Sequence, residues 1–312
     1  MDSIIVKELS KRFGKILAVD KISFSIKKGE IFGLLGPNGA GKSTTLLILA
    51  TLLKPTSGEA LVNGFEVTTD PDKVRESIGI VFQDPSSDEL LTGYENLKLH
   101  ALLYNVELNK IDEKVNNVLR LVDLVKRKND QVKKYSGGMR RRMELARGLI
   151  HEPQILFLDE PTLGLDPQTR AKIWKYIQTM AKKLKMTIIL TTHYMEEAES
   201  LCDRVAIIDH GKIIALDTPN NLMGKLKGDT VLLRGKNIDV AKIRRLPFVQ
   251  RIETQGKDIK LTVENSAENL ALLLETAGKI ECVEVHPPSL NEVFLNYTGR
   301  EIREENEKGN NW

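Results

Sequence analysis

The chain has 312 residues, 41% hydrophobic and 29% charged, with a formal net charge of +3. That length buries a substantial core and leaves room for two domains, and so small a net charge gives no electrostatic argument for nucleic acid. No apolar run approaches the ~18–20 residues of a membrane helix, and the start, MDSIIVKELSKRFGK, lacks the basic-then-apolar layout of a secretory signal. Cys202 and Cys282 lie far apart and outside any CxxC pair, so two buried thiols in a reducing cytoplasm are expected.

In chain order, SIIVKEL and ISFSI alternate as strands do. IFGLLG is a continuous apolar run, as a strand buried on both faces requires. It feeds GPNGAGKST (36–44) and the helical stretch TTLLILATLL, and EALVNG and IGIVFQ read as further strands. A helical insert is expected over about 84–150, with LKLHALLY and VNNVLRLVDL as apolar faces and MRRRMELARGLI as its last helix. The arginines of KKYSGGMRRR read as the solvated face of that helix. ILFLD, a helix at RAKIWKYIQTMAKKL, TIILTTH, a short helix at EEAESLC and a hairpin at RVAIIDHGKIIAL complete an α/β order with a mostly parallel sheet. A boundary is expected in the turn-rich stretch 219–228, giving a first domain over 1–224. Residues 225–300 read as strand, helix, strand, strand, helix, strand, a small α+β ferredoxin-like unit. Ser289 and Glu292 cap a final helix, and the charged tail 301–312 is expected to fray.

GPNGAGKST fits G-x-x-x-x-G-K-[ST] between a strand and a helix. Gly36, Gly39 and Gly41 let backbone N–H groups turn toward phosphate oxygens, Lys42 neutralises them, and Ser43 suits a magnesium ion. ILFLDEP sets Asp159 and Glu160 at the carboxyl end of a buried strand, where ligands of open α/β sheets bind. Asp159 suits the metal shell, and Glu160 is the candidate general base toward water. Gln83 and His193 end strands at the same edge. In YSGGM (135–139), Ser136, Gly137 and Gly138 open a second bare helix N-terminus, which a nucleotide already cradled by GPNGAGKST does not need. That motif makes sense if it covers a nucleotide held by another chain.

Together these residues resemble the ATP-binding subunit of an ABC transporter over residues 3 to about 222. GPNGAGKST resembles the Walker A motif, Gln83 the Q-loop, YSGGM the signature, ILFLDE the Walker B motif, GLD (164–166) the D-loop and His193 the switch histidine. The resemblance implies a P-loop NTPase core with N-terminal antiparallel strands and the cofactors ATP and Mg²⁺. It implies that Phe13 stacks on adenine and that Gly36, Pro37, Asn38, Gly39, Ala40, Gly41, Lys42, Ser43 and Thr44 hold the phosphates. Ser43, Gln83 and Asp159 then serve the metal, and Glu160, His193, Lys42 and Gln83 serve hydrolysis. Ser136, Gly137 and Gly138 contact ATP on the other chain, and Asp166 links the two sites of a homodimer or paired subunit. Tyr135 and Met139 depart from the family's Leu-Ser-Gly-Gly-Gln, which removes any contact made by the usual Gln.

PPSLNEVFLNYTGRE with YSGGMRRRMELA resembles the subfamily powering ABC-2 type exporters, daunorubicin-resistance-like drug exporters included. This implies separate ABC-2 type permease subunits, a place on the cytoplasmic face of the membrane, and a groove in the helical insert for the permease. Residues 229–300 read as either a stabilising addition or a dimerisation or regulatory domain. Two other readings stay beside the exporter: a soluble ABC-type ATPase acting on ribosomes or DNA, and a small-molecule kinase. The first lacks a second ATP domain, sustained heptads or a Cys/His cluster; the second leaves YSGGM and His193 unexplained.

Overall fold

The computed structural model describes residues 2–299 apart from 227, 236, 237, 256 and 257; the expected frayed tail lies outside the described residues. The first unit begins with the hairpin of β1 (Asp2–Phe13) and β2 (Ile16–Lys27). β3 (Ile31–Leu35) is buried along its whole length and leads into α1 (Lys42–Leu49). β4 (Ser57–Val62) and β5 (Phe65–Glu66) follow. Next comes α2 (Pro71–Ser77), which the apolar pattern did not suggest; Pro71 at its start and Asp72 in its first turn set it. After β6 (Ile78–Val81), the helical insert supplies α3 (Gly93–Leu103), α4 (Ile111–Leu121) and α5 (Gly137–Leu149). α3 starts on a capping box of Thr92 and Glu95. The unit finishes with β7 (Ile155–Asp159), α6 (Pro167–Leu184), β8 (Thr187–Thr192), α7 (Met195–Leu201), β9 (Arg204–Asp209) and β10 (Lys212–Asp217).

Two sheets enclose the core. One runs β2-β1-β4-β5 and the other β10-β9-β3-β8-β7-β6. In the second, β9, β3, β8, β7 and β6 are parallel, and β10 returns antiparallel at the expected turn. His210 and Gly211 both take positive φ there, 46° and 77°, as a tight hairpin turn requires. Leu9, Phe24 and Ile26 from the first sheet meet Leu46 and Leu49 of α1 and Phe32, Leu34 and Phe157 of the second in one apolar cluster. Burying these side chains, at ~1.5–3 kcal/mol each, fixes α1 against the parallel sheet. Register then aligns the strand ends: Leu35 lies opposite Thr192, and Asp159 opposite Thr191. The chain segments following β3, β7 and β8 therefore open at one edge.

At Pro219/Asn220 the chain divides into two compact units. α8 (Pro219–Gly224) falls in the stretch expected to be a turn. Then come β11 (Asp229–Gly235), α9 (Val240–Ile243), β12 (Val249–Gln255), β13 (Asp258–Val263), α10 (Ser266–Ala277), β14 (Ile280–His286) and α11 (Leu290–Thr298). The sheet order β12-β13-β11-β14, with every neighbouring pair antiparallel, is the ferredoxin-like arrangement. Val231, Leu233, Ile259, Leu261 and Val263 share one apolar cluster with Leu273 and Ala277 of α10. α11 starts on the expected capping box, Ser289 with Glu292. The cysteines correct one expectation: Cys202 is buried, but Cys282 is exposed, because β14 is an edge strand paired among the described residues only with β11.

Candidate nucleotide and hydrolysis site

The loop between β3 and α1 is shaped by contacts that exclude side chains. A Cβ on Gly36 would lie 2.1 Å from the carbonyl oxygen of Ile208, and one on Gly41 2.3 Å from that of Ala18. Gly41 also has φ of 104°, which a residue with a Cβ rarely adopts. The β9–β10 turn supports the loop from outside, with Gly211 N–H donating to the Ala40 carbonyl at 3.0 Å. α1 begins at Lys42, so the first-turn N–H groups of Lys42, Ser43 and Thr44 have no intrahelical acceptor and face the loop.

Lys42 is buried, and its Nζ donates to the carbonyls of Gly36 (2.8 Å) and Pro37 (3.0 Å). It also lies 3.6 Å from Glu160 Oε1. Burial lowers its pKa, and Glu160 and Asp159 partly restore it. The ammonium is thus held by replaceable partners, which phosphate oxygens can displace.

Asp159 closes β7, and its Oδ1 accepts from Ser43 Oγ (2.9 Å) and Thr191 Oγ1 (2.5 Å). Glu160 next to it takes a left-handed backbone, φ 45°, with its N–H donating to Thr191 Oγ1 at 3.0 Å. Such strain in a non-glycine residue persists only where surroundings over-determine it. It turns the Glu160 carboxylate toward Lys42 on one side and His193 on the other. His193 Nδ1 stands 3.2 Å from Glu160 Oε2, off the line of a hydrogen bond. Burial on its own raises the Glu160 pKa; His193 and Lys42 outweigh it, so the carboxyl is held below its ordinary value. Glu160 is therefore an ionised group suited to orient and polarise water.

Arg141 was missed. It lies in the arginine run expected to be solvated, yet is only 6% exposed. Its guanidinium donates to the carbonyls of Pro161 (2.6 Å), Phe82 (2.6 Å), Gln83 (3.3 Å), Asp159 (3.0 Å) and Glu160 (3.1 Å). One side chain on α5 thus holds the backbone at and around Asp159 and Glu160, and burial lowers its pKa. Helical phase was the available signal: Arg141, Leu145 and Gly148 share the buried face of α5.

The remaining expected residues stand apart from this cluster. Gln83 is anchored by its carbonyl, while its side chain is exposed. Phe13 at the end of β1 is 45% exposed, with Lys11 Nζ 5.0 Å from its ring centroid, so a flat aromatic face is presented. Ser136 caps α5, its Oγ accepting from Met139 N–H at 3.4 Å. Ser136 and Gly137 are exposed, and a Cβ on Gly138 would lie 2.5 Å from Thr169 Cγ2. Tyr135 is buried, donating to the Arg127 carbonyl at 2.8 Å, so this departure from the family pattern anchors the motif from behind. Asp166 caps α6 by accepting from Thr169 N–H at 3.0 Å, and these bonds lower its pKa. For a metal, Ser43 and Asp159 bring a hydroxyl and a carboxylate together, the all-oxygen donor chemistry of a hard divalent cation.

A family model described as ABC transporter matches residues 19–163, and one described as ATP-binding protein DrrA1-3-like, C-terminal domain, matches residues 218–298. The linearmycin resistance ATP-binding protein of Bacillus subtilis is 39% identical over 308 residues, 96% of this chain and 99% of the relative. The chain belongs to the ATP-binding subunits of ABC transporters. Within that family it falls with the ABC-2 type exporter subunits. The doxorubicin resistance ATP-binding protein of Mycobacterium tuberculosis is 38% identical, covering 95% of this chain and 93% of the relative. A Nod factor export ATP-binding protein of Rhizobium is 39% identical, covering 94% and 96%.

Among solved structures, cbiO1 of Clostridium perfringens, part of an ABC transporter complex, has a TM-score of 0.67 and 33% identity over 72% of this chain and 91% of its own. An ATP-binding cassette seen as a dimer with ADP and Pi after hydrolysis has a TM-score of 0.62 and 28% identity, covering 69% and 98%. This ABC subunit is an ATPase that powers an exporter. The ribosome, DNA and kinase readings receive no support. No helix among the described residues is long and apolar enough to cross a membrane, and cassettes of this family dimerise and work with membrane permeases.

Proposed function

We propose that two copies of this chain close on two ATP molecules and hydrolyse them, driving ABC-2 type permease subunits from the cytoplasmic face of the membrane. The observation that carries this is Glu160 held between Lys42 and His193, beside Ser43 and Asp159, while Ser136 and Gly137 stand exposed outside that cluster. One chain supplies cradle, metal ligands and water-facing carboxylate; the second supplies the helix end that closes over the phosphates. Asp166 lies near that closure and links the two sites.

Phe13 stacks on adenine, and residues 36–44 wrap the phosphates. Ser43, Gln83 and Asp159 are the residues that would hold Mg²⁺, which when bound neutralises phosphate charge. Lys42 exchanges the Gly36 and Pro37 carbonyls for phosphate oxygens. Its withdrawal frees Glu160 to accept a hydrogen bond from the attacking water, and His193 steadies the γ-phosphate. Positioning and charge do the work of phosphoryl transfer. Glu160→Gln is expected to lower turnover about 10²- to 10⁴-fold while ATP affinity by calorimetry stays; undiminished turnover contradicts the role given to Glu160.

The cargo is a drug, lipid or other amphiphile, a reading supported by the linearmycin, doxorubicin and Nod factor names of the relatives. The permease is received at the helical insert, where Leu99 and Leu103 of α3 are exposed. With both replaced by Glu, co-purification with the permease is lost; retained association contradicts this docking.

A further inference from the structure

Glu197 lies on α7 and is fully buried. Burying a carboxylate is costly, and an apolar residue of similar size generally packs there at lower cost. Its partners come from two other segments. Thr162 Oγ1 donates to Glu197 Oε1 at 2.8 Å, and Trp174 Nε1 donates to the same oxygen at 2.9 Å. Thr162 stands two residues beyond Glu160. Trp174 is on α6, the helix that Asp166 caps. α7 starts two residues after His193. The three segments that converge on Glu197 therefore bear Glu160, His193 and the site-linking Asp166.

Two buried atoms beside this hub have no hydrogen-bond partner: Glu197 Oε2 and Arg170 Nε. Arg170 is one turn before Trp174 on α6, and its guanidinium lies 4.1 Å from the Tyr194 ring centroid. The Tyr194 ring in turn is 4.1 Å from that of His193. Burial pushes the Glu197 carboxyl up, while Thr192, Thr162, Trp174 and the Arg170 charge pull it back. The carboxylate thus has a cation within electrostatic reach, and the Arg170 Nε beside it is without a hydrogen-bond partner.

We propose that Glu197, with Arg170 as its counter-charge, is a positioning residue for hydrolysis, holding the Glu160 segment, the Asp166-capped helix and His193 in one geometry. This rests on the reading of Glu160 and His193 as hydrolysis residues. When α6 moves as two copies close, the carboxylate carries that movement to Thr162 and to the start of α7. Oε2 and Arg170 Nε then pair directly. A purely structural hub would add stability without bearing selectively on turnover.

The test uses the full chain. Glu197→Gln keeps the size and the acceptor that Thr162 and Trp174 use. It is expected to lower kcat about 10- to 100-fold, as small misplacements of reacting groups do, with the Kd for ATP by calorimetry within about twofold. Arg170→Met is expected to behave alike, and the double variant to be no slower than the slower single, as residues acting as one unit are. Wild-type kcat in Glu197→Gln, a Kd rise matching the kcat loss, or multiplicative losses in the double variant overturn the proposal. If Glu197→Gln does not fold, Trp174→Phe removes one donor and must lower kcat at constant Kd; unchanged kcat there overturns it equally. Turnover surviving Glu160→Gln removes the underlying reading, whereas normal Glu197→Gln beside a dead Glu160→Gln removes this proposal alone.

Discussion

The sheet edge around Lys42 and the helix end at Ser136 both suit phosphate, but they are built in opposite ways. At the edge, Lys42, Asp159 and Glu160 are buried, with Lys42 beside Glu160 and Ser43 donating to Asp159. At the helix end, Ser136 and Gly137 are exposed, and buried Tyr135 anchors the motif from behind. A buried polar cluster must satisfy itself before a ligand arrives, or the chain does not keep that fold. An exposed helix end is satisfied by water and can wait for an anion. The contrast suits the proposed division, in which one chain carries both motifs for two different nucleotides.

The largest expected effect comes from breaking the support shared by the two regions. Arg141 leaves α5, the signature helix, and donates to five carbonyls around the carboxylates. Arg141→Met strands these acceptors in a buried setting and is expected to cost about 3–5 kcal/mol by chemical denaturation. A cost below about 1 kcal/mol would mean that water replaces the guanidinium, and that the two regions are not tied through it. Ser136→Ala separates capping from phosphate contact. Loss of the cap costs about 1 kcal/mol, while turnover is expected to fall about tenfold or more with single-chain ATP affinity unchanged. Turnover near wild type makes Ser136 a cap and nothing else.

A separate expected effect concerns the helical insert. His100 and Tyr104 of this insert lie 5.0 Å apart, ring to ring, and share a cavity of about 230 Å³ with Arg147 and His151. Burial, then Arg147 and His151, lower the His100 pKa from 6.5 to about 4. The unfolded chain therefore takes up this proton first as pH falls. The stability His100 contributes is full above pH 6.5 and is lost as pH drops toward about 4. His100→Phe should flatten the decline of the thermal midpoint across that window; parallel curves for variant and wild type contradict the assignment.

Residues whose chemistry depends on local chain geometry were legible in the sequence. The glycine spacing of 36–44 between a strand and a helix, the carboxylates at the end of ILFLD, and Ser136 and Ser289 as helix caps all follow from short-range rules. The ferredoxin-like order of the second unit also followed, because each strand and helix there has its own period. Residues whose role depends on a distant partner were hidden. Arg141 looked solvated because a run of three arginines shows composition, and only helical phase with Leu145 separates the buried one. Glu197 looked like one more acid on a short helix until Thr162 and Trp174 came to it across the fold. Cys282 looked buried because strand alternation does not reveal which strand ends up at an edge.

The proposed catalytic unit is a pair of chains. Light scattering of Glu160→Gln with and without ATP tests it most directly, since slowed hydrolysis should trap the closed state. Paired closure predicts a monomer without ATP, a dimer with it, and no dimer when Gly137→Asp is added, because exposed Gly137 has room for a side chain, its Cβ 3.8 Å from Leu165 Cδ2, and the added carboxylate repels phosphate at the helix end. A Glu160→Gln chain that stays monomeric with ATP bound, beside a wild type that turns over fully as a monomer, would contradict it.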